Sequence, residues 1–134
     1  MTKLVEIEGI GANHAAALAA AGIDTVEELL REGGTPAGRE AIAATAGMSN
    51  KLILEWVNHA DLMRIKGVGS EYADLLEAAG VDTVPELAQR NAANLTEKLE
   101  GINEVKNLVR RVPTASQVED WVAEAATLPR AVEY

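Results

Sequence analysis

Residues 7–29 read IEGIGANHAAALAAAGIDTVEEL, and residues 65–87 read IKGVGSEYADLLEAAGVDTVPEL. The offset is a constant 58, and 13 of the 23 positions are identical. Ile10/Val68 and Ile23/Val81 are conservative pairs. Chance does not produce such a match, so the chain reads as an internal duplication. Each copy opens with a Gly-hydrophobic-Gly turn. An alanine- and leucine-rich run follows, free of breakers and made of strong helix formers. Gly22 and Gly80 end those runs, as a C-terminal glycine does. Thr25 with Glu28, and Thr83 with Glu86, then read as capping boxes at the next helix start. Pro85 sits in the first turn, where a missing N–H costs little.

Working outward, further helices are expected over Pro36–Ala46, Asn50–Leu62, Ala92–Glu100, Val105–Arg111 and Ala115–Thr127. Breaks are expected at Gly33-Gly34, Gly47 and Pro113. A short leading helix near Thr2–Glu6 is expected to fray. Strand signals are absent. Glu55-Trp56-Val57 matches Asp120-Trp121-Val122 at an offset of 65, so the second copy carries about seven extra residues in between. Each copy thus ends in a helix bearing one Trp. Paired Trp could form a stacking platform, but a repeat-equivalent aromatic on an apolar helical face more often anchors the core. The expected architecture is all-α, with two similar helical units, 1–61 and 62–134, packed as one compact protein.

Composition agrees. Hydrophobic residues make up 48% of the 134 and charged residues 25%, while aromatics are 3% and Phe is absent, so the core must be aliphatic. The net charge of −9 repels polyanions at long range and argues against broad electrostatic capture of nucleic acid or anionic membranes. With no Cys, disulfide and thiolate chemistry are excluded. The N-terminal octet carries charges where a signal peptide needs an apolar stretch, and the longest apolar run, Ala15 to Ala21, is too short to span a bilayer. A cytoplasmic protein is the expectation.

The pattern Ile7-Glu8-Gly9-Ile10-Gly11 with Ala15, Leu18, Gly22 and Thr25 resembles the helix-hairpin-helix motif. So does Ile65-Lys66-Gly67-Val68-Gly69 with Ala73, Leu76, Gly80 and Thr83. The second half of each also resembles the C-terminal domain of TfoX competence regulators. The whole chain is similar to a group of bacterial and archaeal proteins with tandem helix-hairpin-helix units. In DNA-binding members of that superfamily the loop amides hold a backbone phosphate without reading sequence. Carried over by position, these are the amides of Gly9, Gly11 and Ala12, and of Gly67, Gly69 and Ser70. The resemblance also implies that loop carbonyls can hold a monovalent cation, here those of Val5, Ile7 and Ile10, and of Met63, Ile65 and Val68. No other cofactor and no metal site is expected.

The physical logic of such a loop is that the following helix presents its free N–H groups and positive dipole end outward, which suits an anion. The residues here depart from that use. DNA-binding versions follow the second Gly with Lys or Arg. This chain has Ala12-Asn13-His14 and Ser70-Glu71-Tyr72, and Glu71 would repel a phosphate. The first loop has only Lys3 nearby, whereas the second has Arg64 and Lys66 and is the better candidate. Lys106 and Arg110, with Arg111 beside them, would share a helix face at i and i+4, a cluster that reads more readily as a solvated helix end with cations favourable at its C-terminus. The loops read equally as tight turns whose middle apolar residue plugs the core.

Catalysis is not expected. Ser49, Ser70 and Ser116 sit at helix starts, where N-capping explains them. His14, His59 and the scattered carboxylates form no nucleophile or metal pattern. The leading functional expectation is therefore a non-catalytic protein-interaction or scaffold module. The alternative is weak, sequence-nonspecific binding of a nucleic-acid backbone through the hairpin loops.

Overall fold

The computed structural model describes residues 2–134. Among them it shows one 3-10 turn, Leu4–Glu6, and eight α-helices: α1 Ala12–Ala20, α2 Val26–Glu32, α3 Pro36–Ala46, α4 Asn50–Leu62, α5 Ser70–Ala78, α6 Val84–Ala88, α7 Ala92–Lys106 and α8 Ala115–Ala125. No strand occurs among the described residues; Lys3 and Thr25 form one isolated antiparallel bridge. The all-α class follows from a chain whose apolar residues recur at helical spacing between glycine and threonine punctuation.

The chain divides into two units. One comprises Met1–Asp61 with Ala131–Tyr134, the other Leu62–Arg130. The last four residues thus group with the first unit, where the sequence reading had placed them in the second. Three contacts within the first unit account for this. The Glu133 amide donates to the Gly34 carbonyl at 2.7 Å. The buried Arg39 guanidinium donates to the carbonyls of Gly33 and Glu133 at 2.9 and 2.6 Å. The Tyr134 hydroxyl donates to Asn58 at 2.9 Å. Gly34 is required by close approach, because a Cβ there would stand 2.6 Å from the Ala131 carbonyl oxygen.

In the first unit, α1 packs on α3 and on the leading 3-10 turn, and α2 packs on α3. That turn, expected to fray, is packed and hydrogen-bonded. Leu4 and Ile7 are buried, the Val26 amide donates to Thr2, and the Thr2 amide donates to Glu27. In the second unit, α8 packs on α6 and α7, and α5 on α7. Its core is aliphatic around one Trp: Leu75, Leu76, Val81, Leu87, Leu99 and Val118 are buried with Trp121.

Three local expectations are corrected. Gly101 does not break a helix, and α7 runs unbroken to Lys106. An interior Gly costs only about 1 kcal/mol, which the buried Leu95 and Leu99 offset. Residues 107–111 are not helical, because Asn107 turns left-handed at φ 50° and caps α7. Asn103 then clamps Val109 with two buried hydrogen bonds, Nδ2 to its carbonyl at 3.1 Å and Oδ1 from its amide at 2.9 Å. Lys106 and Arg110 therefore share no helix face.

The caps differ in detail too. Thr25 caps α2 by accepting from the Glu28 amide, and Glu28 accepts from Asp24, one residue before the cap. Thr83 makes no side-chain cap bond; its hydroxyl donates to Glu86, which also takes the Asp82 amide. Of the three serines, Ser49 caps a helix by accepting from the Leu52 amide. The caps of α5 and α8 are Gly69 and Thr114.

Candidate functional site

The two Gly-hydrophobic-Gly loops have the same backbone. Gly9 and Gly67 adopt φ of +93° and +89°, a left-handed conformation that a side chain opposes. The Ile10 amide donates to the Ile7 carbonyl at 3.1 Å, and the Val68 amide to the Ile65 carbonyl at 3.0 Å. These are two of the carbonyls expected to face a monovalent cation, and each already accepts one hydrogen bond. Ile10 and Val68 are 3% and 4% exposed, so each loop drives its middle side chain into the core. That is the plug anticipated from the sequence.

The second glycines differ from the first. Gly11 and Gly69 are the N-caps of α1 and α5, with extended backbones at φ −91° and −96°. A Cβ on either would meet nothing within 4 Å. Neither backbone strain nor crowding within the chain explains why these positions carry glycine. Their consequence is that the first turns of α1 and α5 receive no side-chain cap from the residue before them.

Behind each loop lies its Trp. Trp56 and Trp121 are both 3% exposed, which excludes an open stacking platform. A Cβ on Gly9 would lie 3.5 Å from Trp56 Nε1, and one on Gly67 would lie 3.4 Å from Trp121 Nε1. An aromatic ring one turn into the following helix completes each arrangement. His14 packs on Trp56 with ring centroids 5.1 Å apart, and Tyr72 on Trp121 at 5.2 Å. His14 Nδ1 lies 3.1 Å from the Gly9 carbonyl. The Tyr72 hydroxyl instead donates to the Arg111 carbonyl at 2.9 Å.

The candidate residues of the first loop, Gly9, Gly11 and Ala12, are exposed, with the acidic Glu8 beside them. In the second loop, Lys66, Gly67 and Gly69 are exposed, and Arg64 and Ser70 half-buried. Arg64 and the Lys66 backbone are both engaged within the unit. Arg64 donates to the Pro129 carbonyl at 2.8 Å. The Lys66 amide donates to the Glu124 carboxylate of α8 at 3.0 Å, so the chain's own anion sits on a loop N–H. Glu71, which follows Ser70 in α5, lies 3.7 Å from Arg110 in an exposed ion pair.

Sequence reading missed Glu124, and it named Arg110 only as part of a separate basic cluster, not as a neighbour of the second loop. Each lies about 40 or more residues from the loop and acquires its role only when α8 and the segment after α7 fold back. No local pattern announces either. The missed signal for Arg110 was the length difference: the extra residues of the second copy include the segment after α7, which carries Arg110 and Arg111 to Glu71 and Tyr72.

Residues 8–128 match the family model described as Domain of unknown function (DUF4332). The chain belongs to the DUF4332 family. The DUF4332 match takes in both Gly-hydrophobic-Gly segments, both Trp residues and Glu124, while the leading 3-10 turn, Ile7, Pro129 and the C-terminal residues lie outside it. No curated protein and no solved structure matches the chain.

Proposed function

We propose that the chain is a non-catalytic protein-interaction module and that the exposed face of α1 is its contact surface. One observation carries this reading. From Gly9 to Ile23 there is no charged residue, in a chain where a quarter of residues are charged. Yet α1 lies at the surface, with Ala12, Asn13, His14, Ala16, Ala19 and Ala20 exposed and only Leu18 buried. Ala12, Ala16, Ala19 and Ala20 recur at i, i+4, i+7 and i+8, so they share one face. Small side chains let a partner helix approach closely. The equivalent positions of α5, Ser70, Asp74, Glu77 and Ala78, are all half-buried, so the exposed small-residue face belongs to α1 and not to its counterpart.

The electrostatics agree. The first unit has four Lys and Arg against ten Asp and Glu, net −6. The second has eight against eleven, net −3, and together they make the −9 of the chain.

Site-specific photo-crosslinking from position 16 tests the proposal, with position 97 on α7 as control. The protein adduct formed from position 16 is then purified and its affinity measured by calorimetry. An Ala16→Glu variant is expected to weaken it at least about tenfold, the cost of burying one uncompensated carboxylate. Equal affinity of the variant would sink the reading.

The alternative, a weak nucleic-acid backbone contact through the second loop, is favoured by one observation. Gly69 keeps the α5 N-terminus bare, with Lys66 and the largely exposed Arg110 beside it. Titrating labelled duplex and single-stranded DNA at low and near-physiological salt tests it, with Lys66→Glu and Arg110→Glu as variants. Absence of binding at low salt rejects it, because phosphate contacts are strongest there.

A further inference from the structure

The two units differ in how they finish the carbonyl end of the helix after the loop. In the second unit a guanidinium does so: Arg90 Nη2 donates to the Gly80 carbonyl at 3.1 Å. That is where a cation belongs, because the C-terminal end of α5 carries the negative end of the helix dipole. The backbone of the first unit is the same at this point. Gly22 has φ +85° and Gly80 +88°. The Ile23 amide returns to Leu18 at 2.9 Å, as the Val81 amide returns to Leu76 at 2.9 Å. Three residues past the last matched pair, however, Arg90 is replaced by Glu32. No basic residue lies in the last turn of α1.

A cavity of about 200 Å³ opens at this place in the first unit, with Gly22, Ile23, Glu32, Ile42 and Thr45 in its wall. Gly38 also lines it, and a Cβ there would run into the Glu32 carbonyl. We propose that this cavity binds the guanidinium of an arginine side chain presented by a partner protein. The Gly22 carbonyl takes the place that Gly80 has for Arg90. The Glu32 carboxylate adds the counter-charge, and charge-assisted pairing of this kind favours a planar guanidinium over an ammonium. Ile23 and Ile42 cover the methylene stem, which is how a long cation buries its apolar part. Arg31 pairs with Glu32 at 3.4 Å, with both side chains more than half exposed. Such a pair is weak and yields to a better one.

The guanidinium site itself does not rest on the proposed contact face of α1; only its peptide source rests on the protein-interaction reading. The test follows backbone amide shifts of Gly22, Ile23, Glu32 and Thr45 by NMR in the full chain. The probes are N-acetyl-arginine methylamide, its lysine counterpart, a capped Ala-Arg-Ala peptide and agmatine. Saturable shifts at these four amides are expected with both arginine probes, and weaker ones with lysine. Glu32→Gln is expected to weaken binding about tenfold. Glu32→Arg is expected to remain folded and to abolish binding, since its own guanidinium would reach Gly22 as Arg90 reaches Gly80.

Absence of saturable shifts with millimolar arginine probe, or binding indifferent to both substitutions, would overturn the site. Binding of agmatine without binding of the capped peptide would overturn the peptide source, assigning the cavity to a small cation. Capped-peptide binding alongside a failed Ala16→Glu experiment would uphold the cavity and remove only the role of α1.

Discussion

Replacing Asn103 by Ala should loosen the second unit from a point remote from either loop. The Asn103 side chain is buried and satisfies both polar groups of Val109, which is 7% exposed. Its removal leaves a buried N–H and a buried carbonyl unpartnered. Each such orphan costs about 1–3 kcal/mol. The segment from Asn107 to Thr114 has no helix of its own and can turn part of its backbone to water, so the lower end of the range applies. The expected loss is about 2–3 kcal/mol for the pair. With a urea slope of about 1.5 kcal/mol/M, the denaturation midpoint should fall by about 1.5 M. Hydrogen exchange at the Val109 amide should accelerate in parallel. Because the Tyr72 hydroxyl is held by the Arg111 carbonyl two residues further on, the Tyr72 ring resonances should also shift. An unchanged midpoint with a still-protected Val109 amide would refute the clamp as a stabilising element.

Three further outcomes are expected. Gly67→Ala should cost about 1–2 kcal/mol, because φ is +89° there, whereas Gly69→Ser, with extended backbone and open space, should leave stability unchanged or raise it by a few tenths through a new cap; thermal melts of the two variants compare them directly. The Thr2 amide holds the Glu27 carboxyl below its usual range, so Glu27 contributes stability above the ordinary carboxylate pKa that fades as pH falls through its folded value. Glu27→Gln should therefore flatten the acid limb of the stability curve by less than about 1 kcal/mol, the group being exposed, as acid titration of the melting midpoint would show. Arg39→Lys should cost about 1–2 kcal/mol by losing the two-pronged grip on Gly33 and Glu133, and limited proteolysis should then remove the C-terminal residues first.

What the sequence determined by itself was the larger part of what local backbone chemistry and the duplication set. The glycine turns, the breaker-free helices after them, and the burial of Ile10, Val68, Trp56 and Trp121 follow from residue type and spacing within a few positions, and copying the pattern reinforced it. The sequence also supplied the uncharged run of α1, though not its exposure.

The tertiary structure decided what depends on distant segments meeting. Residues 107–111 looked helical by composition, yet the Asn103 clamp and the left-handed Asn107 draw them out of the helix. The second loop shows no acidic partner in its own sequence, yet Glu124 returns from α8 to accept from its Lys66 amide. Arg90 and Glu32 were unremarkable until Gly80 and Gly22 were seen to share one conformation with opposite charges nearby. The hydrogen bonds concerned join groups from six residues apart, Asn103 and Val109, to 58 apart, Lys66 and Glu124. Their free energy depends on distance and burial in three dimensions, quantities that residue type and helical spacing do not encode.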